Sequence, residues 1–172
     1  MPHKEEVLAV NAVTSTPAVS GQRVYFTTST LNRGRIFAVN ARTGALEWRY
    51  PRAPTDEEEE DDEYLPLTPY SSPLVVPNLV YGTTRVREAL YVCGADGRVY
   101  GFNADTGVIL DIDPNDPFDD YVSERLGGAI FSSPVFTYVR DTDDDGNVVG
   151  DYPAVVVATD SGLLLALHAD DR

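Results

Sequence analysis

Ser15-Thr16-Pro17-Ala18-Val19 returns as Ser71-Ser72-Pro73-Leu74-Val75 and again as Ser132-Ser133-Pro134-Val135-Phe136. The prolines are spaced by 56 and 61 residues, so one structural unit occurs three times. Proline has no N–H to give and is tolerated at the first residue of a strand or on an edge, which makes each copy a strand entry. Behind each proline come β-branched and aromatic runs separated by polar and glycine breaks. The first unit predicts strands over 23–28, 35–40 and 45–50. The second predicts 89–93, 98–103 and 108–112, with Ala95-Asp96-Gly97 as the tight turn. The third predicts 154–158 and 163–168 around Thr159-Asp160-Ser161-Gly162.

Outward from these repeats, the chain divides into an N-terminal segment (1–14), a first unit (15–55), an acidic linker (56–70), a second unit (71–113), an inter-unit loop (114–131) and a third unit (132–172) without its fourth strand. No stretch carries a sustained 3.6-residue period with caps, so the fold class is all-β with minimal helix. Val7-Leu8-Ala9-Val10, ahead of the first proline, is strand-like and is a candidate to complete another unit by strand exchange.

Composition narrows the function classes. The 172 residues are 42% hydrophobic and hold 28 Asp and Glu against 13 Lys and Arg, a net charge of −15. A chain this acidic repels polyphosphate backbones and anionic lipid surfaces, which argues against nucleic acid as a partner. No apolar run approaches the ~20 residues of a membrane-spanning helix, so no membrane insertion is expected. The charge is concentrated: eight acids form the unbroken run Asp56 to Glu63, and the rest of the chain carries −7, the −15 less those eight. A block of like charges repels itself and reads as a solvated loop, with docking to a basic partner as the alternative. One cysteine, Cys93, excludes an internal disulfide framework and a multi-cysteine zinc site. The opening Met-Pro-His-Lys-Glu-Glu lacks the basic and apolar regions of a secretory signal.

Candidate chemistry is sparse. Asp141, Asp143 and Asp145, followed by Gly146, reproduce the start of a calcium loop, in which alternate carboxylates converge on a hard cation and glycine makes the sharp turn. Val149 and Tyr152 stand at the ninth and twelfth positions, leaving Asp151 as the one extra carboxylate. The two readings are a calcium site at Asp141, Asp143, Asp145 and Asp151, and an acidic hairpin tip in water. The segment from Asp111 to Tyr121 is a second acidic loop whose spacing matches no metal site. His3 and His168 are isolated, and no Ser/His/Asp or Cys/His set can be assembled from so few histidines and thiols. Tyr25, Tyr81, Tyr91, Tyr100 and Tyr138 lie in or beside strands, where packing is the default and an exposed subset would anchor a partner.

The third strand of the first unit ends in Ala38-Val39-Asn40-Ala41-Arg42-Thr43-Gly44-Ala45-Leu46-Glu47-Trp48. This resembles the repeat of the quinoprotein-like (PQQ-like) β-propellers, Ala-x-Asp-x-x-Thr-Gly-x-x-x-Trp, with Asn40 in place of the Asp. The resemblance implies a docking motif made of Ala38, Asn40, Thr43, Gly44 and Trp48, the indole packing between neighbouring blades where small residues permit close approach. Gly101-Phe102-Asn103-Ala104-Asp105-Thr106-Gly107 keeps the turn but replaces the leading Ala, and Asp111 stands at the Trp position. Ala166-Leu167-His168-Ala169 begins the motif a third time. The expectation is therefore a partial β-propeller of about three four-stranded blades, the last incomplete; closed propellers have 4–8.

Within that family the quinone dehydrogenases use calcium, an acidic base and often adjacent cysteines. Only Cys93 is present here, so no quinone or other cofactor is expected and calcium is the sole candidate ligand. The function expected is a non-catalytic scaffold for a protein partner or for remaining blades of a larger propeller, with two alternatives: a sector of a quinone-dependent dehydrogenase whose active site lies outside this chain, and a calcium-stabilised surface or adhesion module. The resemblance implies a periplasmic or extracellular setting.

Overall fold

The computed structural model describes residues 13, 15–30, 33–50, 69–81, 84–110, 123 and 125–169. Among them are ten strands in three antiparallel sheets. The first blade is a four-stranded meander, β1 (Ala18–Ser20), β2 (Arg23–Thr30), β3 (Arg33–Asn40) and β4 (Leu46–Tyr50). The second runs β5 (Leu74–Tyr81), β6 (Thr84–Cys93) and β7 (Val99–Asn103). The third orders its strands β8 (Val135–Thr142), β9 (Val148–Ala158) and β10 (Leu164–His168), with β9 in the middle. This is a partial β-propeller of three blades.

Each motif proline immediately precedes the first strand of its blade, Pro17 before β1, Pro73 before β5 and Pro134 before β8. Those strands are sheet edges, where a missing N–H costs no ladder bond. They are also neighbours, β1 beside β5 and β5 beside β8, so the proline strands form one side of the stack.

Two strands reach further than their apolar patterns. β6 begins at Thr84, where Arg85, Arg87 and Glu88 interrupt the alternation, and β9 begins at Val148, ahead of Gly150, Asp151 and Pro153. In both cases the hairpin partner carries the ladder through polar residues. The fourth strand expected over 108–112 is reduced, among the described residues, to a bridge between Phe102 and Ile109, flanked by Asn103 N–H to Val108 O (2.7 Å) and Leu110 N–H to Gly101 O (2.8 Å). Asp111 and Ile112 lie outside the described residues, as do the exchange candidate 7–10 and the acidic run 56–63.

Blade two is buried on both faces, and its strand alternation sorts side chains between two cores. Leu90, Val92, Tyr100, Phe102 and Ala104 face blade one, where Tyr25, Ile36 and Ala38 meet them with Trp48 and Tyr50 packed alongside. Val76, Ala89, Tyr91, Cys93, Val99 and Leu110 face blade three, against Val155, Val157 and Ala169. Among the described residues there are thus two hydrophobic cores, and each is a junction between blades rather than the interior of one.

Candidate functional site: the junctions between blades

The turn after each third strand is built by its own polar residues. In blade one, Asn40 Oδ1 accepts the N–H groups of Arg42 and Thr43, both at 3.1 Å, and the Thr43 hydroxyl accepts Ala45 N–H at 3.3 Å. Gly44 closes the turn at φ +74°, a left-handed conformation that favours glycine. Blade two repeats this chemistry. Asn103 Oδ1 accepts Asp105 N–H (2.9 Å) and Thr106 N–H (3.3 Å), Thr106 Oγ1 accepts Val108 N–H, and Gly107 sits at φ +72°. Asn at the position of the family's Asp thus keeps the acceptor that organises the turn.

Such a turn receives the preceding blade. Trp48 donates its indole N–H to Ala104 O at 2.9 Å, and its ring lies so close that a Cβ on Gly107 would fall 2.6 Å from it. Tyr25 donates its hydroxyl to the same carbonyl at 3.2 Å. One blade later, Tyr91 donates to Ala169 O. The five residues of the sequence motif therefore divide into two groups. Asn40, Thr43 and Gly44 shape their own turn, Trp48 docks on the equivalent turn of the next blade, and Ala38 is buried in the core between them.

At the proline end a second repeat operates. Thr16 N–H donates to Ser72 Oγ (2.9 Å), and Ser72 N–H donates to Ser133 Oγ (3.1 Å), so the second hydroxyl residue of each motif links blades in a row. The first serine acts within its blade. Ser71 Oγ accepts Cys93 N–H (3.0 Å) and donates to Cys93 O (3.2 Å), and Ser132 does the same to Ala158.

Charge enters at the junction of blades one and two. Arg23 of blade one donates to Glu47 and reaches across to Asp105 of blade two, which also accepts from Arg87 at 2.6 Å. Hydrogen bonds from Arg87 and then Arg23 hold the Asp105 carboxyl below its ordinary range, against partial burial. The hydrogen bond from Arg23 does the same to Glu47. Burial pushes the Cys93 thiol up to about 12, so it stays protonated and unreactive at neutral pH. Burial, with the Asp96 carboxylate accepting its hydroxyl at 2.6 Å, also raises Tyr100.

At the acidic hairpin tip the carboxylates make contacts within the hairpin. Asp143 is turned back on the hairpin, its carboxylate accepting Asp145 N–H (3.1 Å), Asn147 N–H (2.8 Å) and the Asn147 side-chain amide. Those bonds lower its pKa, the Asn147 side chain most of all. Asp141 pairs in register with Gly150, and Asp151 lies 3.8 Å from Arg140. Among the described residues no three His, Cys, Asp or Glu side chains come together in a group able to hold a metal. His168 stacks on Tyr152 with ring centroids 3.9 Å apart. His3 and the loop from Asp111 to Tyr121 lie outside the described residues.

Sequence reasoning missed the two tyrosine hydroxyls, the serine ladder and the Arg23–Asp105 pair. The serines carried a signal, since their recurrence was plain while only the proline beside them was given a role. The tyrosines and the ion pair carried none, because β2 and β6 belong to hairpins of different length and only the ladder register aligns them.

Comparison with known proteins places this geometry. A family model described as outer membrane protein assembly factor BamB matches residues 5–149. The quinohemoprotein alcohol dehydrogenase of Comamonas testosteroni superposes with a TM-score of 0.51 at 14% identity, covering 91% of this chain and 27% of that one. BamB of Moraxella catarrhalis gives 0.42 at 16% identity, over 93% of this chain and 48% of that one. The chain thus spans between about a quarter and a half of those structures. No curated protein matches it.

Proposed function

Because this chain belongs to the PQQ-like repeat family, through the model described as outer membrane protein assembly factor BamB, we propose that it is a non-catalytic propeller segment that works by docking β-sheet blades and protein partners. One observation carries the reading: the junction apparatus is periodic, and it continues onto the outer blades, whose far faces expose Val19 and Leu46 on one side and Val135 and Leu164 on the other. Apolar sheet faces left in water mark places where something else packs.

The described side chains support a scaffold role as well. The groups whose protonation is displaced, Arg23, Tyr25, Glu47, Arg87, Cys93, Tyr100, Asp105 and Asp143, are held in structural contacts: pairs across a junction, core positions, or a hairpin turn. Cys93 in particular is shifted away from the thiolate that chemistry would need.

The competing reading is a sector of a quinone-dependent dehydrogenase. Incubating the 172-residue chain with pyrroloquinoline quinone and calcium, then desalting, tests whether these blades themselves hold the quinone. The scaffold reading expects no quinone to remain with the protein and no dye reduction on adding an alcohol. Stoichiometric retention of the quinone overturns it.

A further inference from the structure

The turns that end the third strands of blades one and two differ in sequence at their middle position. Asn40-Ala41-Arg42-Thr43-Gly44 and Asn103-Ala104-Asp105-Thr106-Gly107 share Asn, Ala, Thr and Gly, and carry Arg42 and Asp105 between them. Their shapes agree as well: each Asn side chain accepts the N–H groups two and three residues on, and the glycines stand at φ +74° and +72°. From the turn on which they dock, Trp48 and Tyr25 take the alanine carbonyl, and the indole takes the space over the glycine. A turn of either kind offers both, so the two aromatic side chains do not tell one turn from the other.

The charged residues do. The ladders pair Arg23 with Asn40, Ala89 with Asn103 and Ala154 with His168, so these three hold equivalent places, each opposite the residue that opens its own blade's turn. Of the three, Arg23 alone is charged. It donates to Glu47 of its own blade and to Asp105 of blade two. Asp105 is held from its own side by Arg87, whose Nε and Nη2 donate to the two carboxylate oxygens at 3.1 and 2.6 Å. Glu47 and Arg23 of blade one thus meet Asp105 and Arg87 of blade two in a row of alternating sign, and each half is already paired within its blade. On a turn of the Arg42 kind the same Arg23 would face a second guanidinium. Attraction between partly exposed charges is worth little, whereas like charges brought into contact are costly, so such a pair selects a partner more than it strengthens the one selected.

We propose that Arg23 and Asp105 are the specificity-determining pair of blade docking: the middle residue of the Asn-Ala-x-Thr-Gly turn selects the blade that docks there, an acid admitting blade one and Arg42 turning it away. The proposal rests on the blade-docking reading above and names the residues that choose between turns of otherwise equal shape. It gives blade one a single correct neighbour in a chain of repeats and keeps it off turns of its own kind, including that of a second molecule. At the junction of blades two and three the place of Arg23 is taken by Ala89, so the device belongs to the first junction.

Reversing the charges one blade at a time tests this, because each half then keeps its internal pair. Arg23→Glu with Glu47→Lys reverses blade one, and Asp105→Lys with Arg87→Glu reverses blade two. The readout is hydrogen exchange at the Trp48 indole N–H, which is bonded across this junction and belongs to the chain's single tryptophan. Either reversal by itself sets like charges across the junction and should speed that exchange about tenfold at low salt, with the excess shrinking at about 0.5 M salt. All four substitutions together restore opposite signs, and exchange should return to within about threefold of the parent chain. Exchange in the four-residue variant as fast as in either pair, or faster, would mean that the costs merely add, and it overturns the proposal. So does a reversal of one blade that leaves the exchange unchanged. Should a singly reversed chain not fold, the four-residue variant is expected to recover the folded circular dichroism spectrum, and failure to recover it counts equally against the pair. Additive costs would leave the blade-docking reading standing, since quinone retention tests that reading separately.

Discussion

Among the described residues the junction of blades one and two is rich in aromatic rings and crossed by an ion pair, whereas that of blades two and three is mainly aliphatic around one tyrosine ring and threaded by backbone. At the first, Trp48 and Tyr25 converge on one carbonyl and Arg23 crosses to Asp105. At the second, Tyr91 makes the hydroxyl contact to the alanine turn, and the connecting segment wedges in. Leu126 N–H donates to Gly97 O (2.9 Å), Ile130 N–H to Gly94 O (3.2 Å), and Asp160 N–H to Ala129 O (2.9 Å). Gly97 and Gly128 allow this wedge, since a Cβ on Gly97 would fall 2.6 Å from Gly128 O and one on Gly128 2.5 Å from Asp160. The comparison teaches that the repeat conserves a docking position, the alanine after the third strand, while the means of filling it varies. Where the indole is present the turn is clamped by a side chain, and at the other junction the linker between blades supplies the contact area.

Two substitutions should expose this difference most strongly. Tyr91→Ala removes a fully buried ring from the core shared by blades two and three, and truncation of a buried aromatic costs about 3–5 kcal/mol. Chemical denaturation should show that loss with blade three loosening first, read as faster amide exchange in β9 and β10 than in β2 and β3. Equal acceleration in all blades would mean that the junctions do not act separately. Gly107→Ala against Gly44→Ala isolates the indole clamp. Both glycines have nearly the same left-handed φ, so the backbone strain of about 1 kcal/mol is common to them. Only at Gly107 does the new methyl meet Trp48, while at Gly44 it meets nothing within 4 Å. Gly107→Ala should therefore be the more destabilising by about 1–2 kcal/mol, an overpacking cost. If the two are equal, the close approach of Trp48 contributes nothing to stability.

How much of this was legible in the sequence depends on whether a feature is local. The proline strands and the glycine turns are written in a few adjacent residues, and they stand where the spacing places them. Trp48 was recognisable as a docking residue, but its target was not, because Ala104 and Gly107 lie a whole unit away and a single sequence does not state which turn meets which strand. The length of β6 was hidden for a physical reason. Arg87 and Glu88 look like a loop, yet Arg87 meets Asp105 and Glu88 accepts from Ser20 on the neighbouring blade. Asp141, Asp143 and Asp145 carry a spacing open to two readings. The spacing that suits a cation also suits an Asx turn, and in the hairpin Asp143 accepts from Asn147 and Asp145.

The smallest expected effect sharpens the comparison by pH. Asp105 has its pKa lowered in the folded chain by Arg87 and Arg23, so it binds its proton less readily folded than unfolded. The stabilisation is therefore present above the unfolded carboxylate pKa of about 3.9 and is lost as pH falls through the lower folded value. Asp105 and its partners are partly exposed, which limits the contribution to about 0.5–1 kcal/mol and makes it weaken with salt. Asp105→Asn should cost that much at pH 7 in low salt, and the difference from the parent chain should shrink as pH falls below about 4. The matched measurement is made on the Tyr91→Ala background, where blade three is already loosened. An electrostatic tie confined to blades one and two should cost the same there as in the parent, because sites without shared partners add. A cost that disappears on that background would show that the two junctions are coupled through blade two, and the picture of independent clamps would have to be abandoned.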